Sequence, residues 1–185
     1  IYEFTVQSIN AGGLLSQATT PVTKTVEGKT APPSSINNAD FTVDVDPNAG
    51  ITFNWTPIVP SVSNGFADLD IAGYEIRKKN PSDSSFSAAT HPETGASNKG
   101  IKVQSNSLFL PVEFAKTTAT YLLKAYDTSL IFANTAAERL VTINTPTAIQ
   151  NVTTTSENGL IKIRWEAPAI HTYKIKNYKI TFNDG

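Results

Sequence analysis

Apolar and polar residues alternate along most of the chain in short runs that are separated by turn-forming residues. Between residues 33 and 145 this alternation predicts strands over 41–46, 51–56, 71–79, 85–89, 102–104, 107–112, 120–126 and 139–143. We expect a loop over 91–100, which is rich in Pro, Gly, Ser and Asn. No window has a convincing helical period. Short strands separated by turns about every 8–12 residues are typical of a two-sheet β-sandwich.

The strand pattern repeats along the sequence. At one constant offset, Ile51, Phe53 and Trp55 are matched by Ile161, Ile163 and Trp165. Two further matches pair Gly73-Tyr-Glu-Ile76 with Asn177-Tyr-Lys-Ile180, and Tyr121-Leu-Leu-Lys-Ala125 with Tyr2-Glu-Phe-Thr-Val6. Side chains alternate between the two faces of a strand, so the matched apolar residues share one face. Together the offsets indicate a repeating unit of about 105–120 residues.

Three units of this kind account for the domain organisation. We expect residues 1–28 to be the C-terminal strands of one unit, 33–145 a complete unit, and 146–185 the N-terminal strands of another. Proline marks both joints, at Pro32-Pro33 and at Pro146, where it ends strands and stiffens the linker. Linkers this short predict sandwiches placed end to end. The first residues have no Met and resemble the middle of a strand, which predicts a fragment of a longer protein.

Composition limits the classes of function. The net charge is −1, which gives no basic surface for nucleic acid or for an acidic membrane. No apolar run has the roughly 18–20 residues of a membrane span. Cysteine is absent, which excludes disulfides, cysteine-ligated zinc and thiol nucleophiles. We therefore expect no cofactor, no nucleic acid partner and no membrane span.

The large apolar positions carry a family resemblance. Trp55 on the second strand, Gly73-Tyr-Glu-Ile76 on the third and Tyr121-Leu-Leu-Lys-Ala125 on the sixth resemble a fibronectin type III domain. The resemblance implies an all-β fold of tandem fibronectin type III β-sandwiches, one complete and two partial, with Trp55, Tyr74 and Tyr121 in the core. One departure concerns the family's tyrosine corner, a Leu-x-Pro-Gly-x-x-Tyr motif. Leu110-Pro111 is present here, but Tyr121 lies ten residues after the proline.

The order of the motifs adds a narrower resemblance over most of residues 28–145. It is similar to the fibronectin-type region of phage tail-tip proteins, the host-specificity protein J and central tail fibre group. The resemblance implies a virion protein of the distal tail that is a homotrimer and contacts other tail proteins. It also implies a role in tail assembly and host attachment, with a bacterial receptor recognised by other parts of the chain. The motifs are Gly28-Lys-Thr-Ala-Pro-Pro33, Gly50-Ile-Thr-Phe-Asn-Trp55, Asp68-Leu-Asp-Ile-Ala-Gly-Tyr-Glu-Ile-Arg77 and Tyr121-Leu-Leu-Lys-Ala-Tyr-Asp-Thr-Ser129.

Catalytic and metal-binding patterns were sought and none is convincing. His91 and His171 both fall in expected loops, and there is no Gly-x-Ser-x-Gly motif to provide a nucleophile. The stretch 44–50 has its glycine one position too late for an EF-hand, so we expect a turn. The acidic pair Asp68 and Asp70 is more often solvated or paired than metal-bound. The basic cluster 77–79 is interpreted as a solvated strand edge, with a patch for an acidic neighbour as the alternative.

Two loops are unusually apolar and are the candidate interface residues. They supply Ile58, Val59, Val62, Phe66 and Leu69 from the 58–70 loop, and Ile131 and Phe132 from the turn between the last two strands of the complete unit. Exposed apolar surface marks interfaces. The alternative is that the 58–70 loop folds over the end of the sandwich and closes its core, and the sequence leaves the two readings evenly balanced.

The leading hypothesis is a structural module of a phage virion, in the tail tip or central tail fibre, with no enzymatic activity, no catalytic residues and no metal. The alternative is a spacer or binding module of a bacterial surface protein or of a secreted polysaccharide-degrading enzyme. The corresponding locations are the virion, or the bacterial surface and extracellular space.

Overall fold

The structure is a computed structural model that describes residues 2–24, 31–60, 68–80, 82–83 and 85–183. The regular elements in these ranges are antiparallel β-strands, apart from one turn of 3-10 helix at Asn38–Asp40. The fold is therefore all-β, as the sequence predicts. The chain divides into two compact units, Ile1–Ala31 and Pro32–Gly185. The domain boundaries proposed from the repeat at 28–33 and at 146 stay predictions.

The strands fall into four sheets. In the first unit, β1 (Tyr2–Phe4) pairs with β2 (Val22–Lys24). The second unit contains β3 (Phe41–Asp46), β4 (Gly50–Trp55), β5 (Ile71–Lys79), β6 (Ile101–Val103), β7 (Ser107–Pro111), β8 (Ala119–Asp127), β9 (Ala137–Val141), β10 (Gln150–Glu157) and β11 (Leu160–Glu166).

Strands β3 to β9 form the β-sandwich. One sheet has the order β3-β4-β7 and the other β6-β5-β8-β9. The two sheets meet through aromatic residues, and the rings of Phe53 and Tyr121 approach to 4.7 Å between centroids. Trp55, Tyr74 and Tyr121 are each buried, which confirms their predicted place in the core. Their burial follows from the alternation of side chains along a strand, because every second side chain of β4, β5 and β8 faces the opposite sheet.

A glycine sets the geometry of β5. The pairing of β5 with β8 shifts register between Ile71 and Gly73, a bulge that increases the local twist. A Cβ atom at Gly73 would lie 2.5 Å from the carbonyl oxygen of Val103 on β6. Only glycine therefore lets β5 and β6 approach this closely.

One predicted strand is wrong. The segment 85–89 forms a turn, in which the Ala88 N–H donates to the Ser85 carbonyl at 3.2 Å and lies 3.4 Å from the Ser85 hydroxyl. Serine side chains bond to nearby backbone and so compete with a sheet ladder. The strand beside β5 is instead β6, and the other predicted strands lie within two residues of the observed ones.

The β10–β11 hairpin begins the segment after Pro146. Its turn is Asn158-Gly159, and both residues have positive φ, 50° and 76°. These angles suit a two-residue type I′ turn, for which Asn-Gly is the preferred sequence. Residues 177–180, which match the motif on β5, lie outside any strand.

Candidate functional site

The 58–70 loop, which contains five of the predicted interface residues, divides between core and surface. Ile58 packs against the core, and its N–H donates to the Tyr74 hydroxyl at 2.9 Å. Val59 and Leu69 are exposed by 73% and 48%. Val62 and Phe66 lie outside the described residues. The beginning of the loop therefore closes the sandwich, and Val59 and Leu69 present apolar surface, whose role as an interface stays a prediction.

The turn after β8 is held by a buried carboxylate. Oδ1 of Asp127 accepts hydrogen bonds from the N–H groups of Ser129 and Ile131, both at 2.8 Å. Between them, the exposed Leu130 has a φ of 64°, a left-handed conformation that is uncommon for a non-glycine residue. Ile131 is half-buried. The sequence places Asp127 at the start of a polar turn, a common position for Asp, but does not mark it as a candidate functional residue.

Phe132 points into an aromatic group on the outer face of the four-stranded sheet. Its ring lies 5.5 Å from that of Phe86 and 5.7 Å from that of Tyr126. Phe86 comes from the turn that replaced the predicted strand. Phe132 is therefore half-buried against its own domain, which limits the surface it offers to a partner, and its predicted interface role is not tested by these contacts.

An ion pair lies within the same group. Arg77 Nε donates to Glu75 Oε1 at 2.7 Å. The guanidinium also donates to the carbonyl of Phe86 at 2.9 Å and to Oδ1 of Asn98 at 2.7 Å, and lies 4.2 Å from the centre of the Phe86 ring. Arg77 is only 6% exposed, so its prediction as a solvated edge residue is wrong. The sequence contained no signal for this, because the segment around Phe86 that covers Arg77 was assigned to a strand.

Two lysines complete this arrangement, which we call the outer-face cluster (Glu75, Arg77, Phe86, Lys102, Lys124, Tyr126 and Phe132). Lys102 Nζ lies 4.9 Å from the centre of the Tyr126 ring and 3.8 Å from Glu75 Oε2. Lys124 Nζ lies 5.3 Å from the centre of the Phe86 ring. Burial, and then the charge of Arg77, lowers the pKa of Lys124. Burial, and then the charge of Glu75, raises the pKa of Tyr126. Aromatic rings thus lie beside three cations, and two of these, Arg77 and Lys102, are also within ion-pair distance of Glu75.

Residues 172–174 attach the segment after Pro146 to the end of the sandwich. The Tyr173 hydroxyl donates to the Ala115 carbonyl at 2.8 Å, and the Lys174 N–H donates to the Pro47 carbonyl at 2.7 Å. Thr172 and Asn144 exchange two hydrogen bonds. Burial, and then the nearby Tyr173, raises the pKa of Tyr121 to about 12. These contacts define the joint, and the sequence pattern gave no indication of them.

The repeat seen in the sequence has a counterpart in geometry. The rings of Trp55 and Tyr74 meet edge-on, with centroids 5.4 Å apart and planes at 64°. The rings of Trp165 and Tyr178 do the same at 5.2 Å and 64°. Beside the second pair lies an open groove of about 520 Å³, lined mainly by apolar side chains of residues 146–181. We call it the 146–181 groove.

Three of the side chains considered for chemistry have structural partners. Asp68 is buried and accepts from the N–H and hydroxyl of Ser34 at 2.7 and 2.6 Å. Asp46 accepts from the Asn48 N–H at 2.7 Å within the β3–β4 turn. Nδ1 of His91 accepts from two backbone N–H groups of its own loop, and His171 is exposed. Asp68, Asp46 and His91 therefore fix loops and turns.

No group of three or more His, Asp or Glu side chains that could hold a metal occurs within the described ranges. No helix there is long and apolar enough to cross a membrane. Neither a protein-family model nor a curated protein matches this chain. Function is therefore inferred from the repeat, the joint and the exposed apolar surfaces.

Proposed function

We propose that this chain is a structural module of a phage virion, made of tandem fibronectin type III domains in the tail tip or central tail fibre. The observation that carries the proposal is the repeated Trp–Tyr pair, Trp55 with Tyr74 and Trp165 with Tyr178, joined through the contacts of Tyr173. Two successive units that share the same Trp–Tyr pair and are linked by hydrogen bonds suit a spacer that holds its neighbours in an assembly at a fixed separation.

The strand order supports the fibronectin type III assignment. Within the sandwich, the first, second and fifth strands form one sheet, and the third, fourth, sixth and seventh form the other. The expected aromatic anchors, Trp55, Tyr74 and Tyr121, lie on the second, third and sixth strands. Sandwiches of this type share their architecture without sequence similarity, so strand order and anchor positions are the informative features.

The departure at the tyrosine corner fits a spacer as well. In the family, a tyrosine just before the sixth strand bonds to backbone of its own domain. Here the Tyr173 hydroxyl, from the following segment, donates to Ala115 in the stretch that leads into β8. A contact that would stabilise a single domain is thus replaced by one between successive segments, which stiffens the joint.

The buried ionisable groups also fit a structural role. Glu75 is paired with Arg77, Asp68 accepts two hydrogen bonds from Ser34, and Asp127 holds the turn before β9. Each of these groups is used to position a loop or a strand. We therefore propose a module without enzymatic activity, whose partners are further copies of itself and other tail proteins.

Location and oligomeric state test this proposal. We expect the full-length native protein to be a trimer by native mass spectrometry, and an antibody against residues 33–145 to label the distal tail in electron micrographs of virions. A strictly monomeric protein found on the bacterial surface, or joined to a polysaccharide hydrolase, would overturn the proposal and favour a spacer or binding module there.

The exposed apolar positions of the 58–70 loop provide a sharper test of the trimer. We expect the double substitution Val59→Asp and Leu69→Asp to weaken the trimer of the full-length protein, because it places charge on the predicted interface. Leu140→Asp is the matched control, since Leu140 is 61% exposed on β9 and lies outside that loop. Equal effects of the two variants would rule out this loop as the contact.

A further inference from the structure

We propose that the outer face of the four-stranded sheet carries a binding site for an acidic sugar, with the ligand's carboxylate bound by Lys124. The site is a pocket of about 270 Å³ bounded by β5, β8, β9 and the turn at 85–88. We call it the Lys124 pocket. All of its lining residues belong to the β3–β9 sandwich. The inference goes beyond the proposed spacer role and does not depend on it.

The four-stranded sheet turns more cations than carboxylates to its outer face. The charged side chains that its strands place there are Glu75, Arg77, Lys79, Lys102, Lys124 and Glu138. Both carboxylates already have partners, since Glu75 lies 2.7 Å from Arg77 and Glu138 lies 3.5 Å from Lys79. Lys124 takes part in none of the ion pairs that the described residues form. This face therefore attracts an anionic group, and Lys124 is the cation that lacks one.

Lys124 is positioned and keeps donors for a ligand. Its Nζ donates to the Asn134 carbonyl at 2.9 Å and lies 5.3 Å from the centre of the Phe86 ring. An ammonium has three N–H groups, and this is the one hydrogen bond that Lys124 makes among the described residues, so two remain. Burial, and then the charge of Arg77, lowers the pKa of Lys124. A carboxylate in the pocket stabilises the charged form that these surroundings disfavour.

Neutral polar side chains stand beside this cation. Ser85 and Ser87, from the turn at 85–88, and Asn134, just before β9, line the pocket. The turn brings both serines to the pocket because the Ala88 N–H donates to the Ser85 carbonyl at 3.2 Å. Hydroxyl and carboxamide groups donate and accept hydrogen bonds, as the hydroxyls of a sugar ring do. The wall is therefore suited to a ligand with several hydroxyl groups.

The rest of the wall is apolar and held in place. It consists of Phe86, Leu122 and Ala136. Leu122 is only 2% exposed, and the Phe86 ring is fixed by the Arg77 guanidinium at 4.2 Å from its centre. Binding sites for small molecules combine an apolar wall with a few polar groups that fix orientation. The C–H surface of a sugar ring can pack on this wall while its hydroxyls meet the serines.

An acidic sugar uses this combination more completely than other ligands. A neutral sugar leaves Lys124 without a carboxylate. The side chain of an aspartate or glutamate from another protein has one carboxylate on a short apolar stem, and it leaves Ser85, Ser87 and Asn134 without a partner from the ligand. Glu138 also lines the pocket and is 46% exposed, so it repels any carboxylate that lies far from Lys124. The pocket thus favours one carboxylate, placed at Lys124.

Chemical-shift titration of the isotope-labelled 185-residue chain tests the site. We expect D-glucuronate to give saturable shifts of the backbone amides at 85–88 and 134–138. D-Glucose has the same ring with an uncharged hydroxymethyl group in place of the carboxylate. We expect it to bind about tenfold more weakly or less, because the charge-assisted hydrogen bond to Lys124 is lost. Equal affinities for the two sugars would overturn the proposal.

Three variants place the ligand at Lys124. Lys124→Met should raise the dissociation constant for D-glucuronate about tenfold. Lys116→Met is the matched control, since Lys116 is exposed and outside the pocket, and it should change that constant by about twofold or less. Glu138→Gln should lower the constant about two- to fivefold, because it removes the like charge. Equal effects of Lys124→Met and Lys116→Met, or weaker binding by Glu138→Gln, would overturn the assignment. Thermal unfolding confirms that each variant is folded.

A further ligand separates an acidic sugar from an acidic protein segment. A short peptide with one glutamate and both ends capped supplies the carboxylate without the sugar hydroxyls. We expect it to bind about threefold more weakly than D-glucuronate, or less. Tighter or equal binding of the peptide would replace the sugar by an acidic protein segment as the occupant. The absence of saturable shifts with D-glucuronate would overturn the inference.

Discussion

Arg77 donates from Nε to Oε1 of Glu75 at 2.7 Å, and the two side chains are 7% and 2% exposed. The pair lies on the outer face of the four-stranded sheet, where one side is usually left to solvent. Nη1 of the same guanidinium donates to the Phe86 carbonyl and to Oδ1 of Asn98. Arg77 thus holds the 85–98 segment against β5. This segment buries part of the outer face of the four-stranded sheet.

Removing Arg77 from its ion pair with Glu75 should lower the free energy of unfolding. Arg77→Met leaves the carboxylate of Glu75 buried, and its remaining ion-pair partner among the residues that the structure describes is the partly exposed Lys102 at 3.8 Å. An uncompensated buried charge costs about 3–5 kcal/mol. We expect Arg77→Met to lower the free energy of unfolding by about that amount, measured by urea denaturation.

The double variant is the control for this prediction. Glu75→Leu together with Arg77→Met removes both charges, so the desolvation penalty disappears with the attraction. We expect the double variant to be more stable than Arg77→Met alone by about 1–3 kcal/mol. Additive losses would show that the two charges act independently.

Tyr121 should make the stability of the sandwich depend on alkaline pH. An unfolded tyrosine ionises near pH 10, whereas burial, and then Tyr173, raises the pKa of Tyr121 to about 12 in the folded protein. Between these values the unfolded chain binds fewer protons, so stability falls as pH rises. The contribution is complete below pH 10 and lost by pH 12. We expect a loss of about 2 kcal/mol in urea denaturation over this interval.

Tyr121→Phe is the control, because it removes the ionising hydroxyl and keeps the ring. We expect the alkaline loss of stability to be smaller in this variant than in the parent protein. Tyr74 and Tyr173 also have raised pKa values because of burial, so a residual loss remains. The lowered pKa of Lys124 acts in the opposite direction. An unchanged pH profile in Tyr121→Phe would show that Tyr121 is not the group responsible.

The two tryptophans occupy matching positions and should contribute unequally. Trp55 is 3% exposed in a closed core, and we expect Trp55→Ala to cost about 3–5 kcal/mol. Its Nε1 has no hydrogen-bond partner within the described ranges, so Trp55→Phe should cost less, about 1–2 kcal/mol. Trp165 is only half-buried, and Trp165→Ala should cost about 1 kcal/mol or less. Circular dichroism during urea unfolding measures all three, and equal losses at Trp55 and Trp165 would contradict the difference in burial between them.

The sequence predicts the sandwich core well because its signal is local. Alternation along β4, β5 and β8 places Trp55, Tyr74 and Tyr121 on inward faces without any knowledge of the neighbouring strands. Arg77 was misjudged because its burial depends on Phe86 and Asn98. Phe86 comes from a turn at 85–88 that replaces the predicted strand, and Asn98 comes from the loop that follows it, so apolar alternation gives no signal for either contact.

The candidate interface residues also divide into those whose exposure follows from local sequence and those whose burial depends on contacts distant in the sequence. Val59 and Leu69 were identified from apolar composition, which is local, and the structure leaves both exposed. Phe132 was chosen on the same basis, but contacts with Phe86 and Tyr126 cover much of it. The joint through Tyr173 involves a backbone carbonyl far away in the sequence, and no composition or spacing rule indicates such a partner.

Leu130 offers a stabilising change. It has a φ of 64° at an exposed turn, a conformation that costs a residue with a Cβ about 1–2 kcal/mol and that Asn tolerates better. We expect Leu130→Asn to raise the free energy of unfolding by about 0.5–1 kcal/mol, since the leucine side chain is 59% exposed and loses little packing. Leu130→Ala is the control, because it shortens the side chain and keeps the backbone penalty. A melting temperature for Leu130→Asn no higher than that of Leu130→Ala would show that backbone conformation is not limiting at this turn.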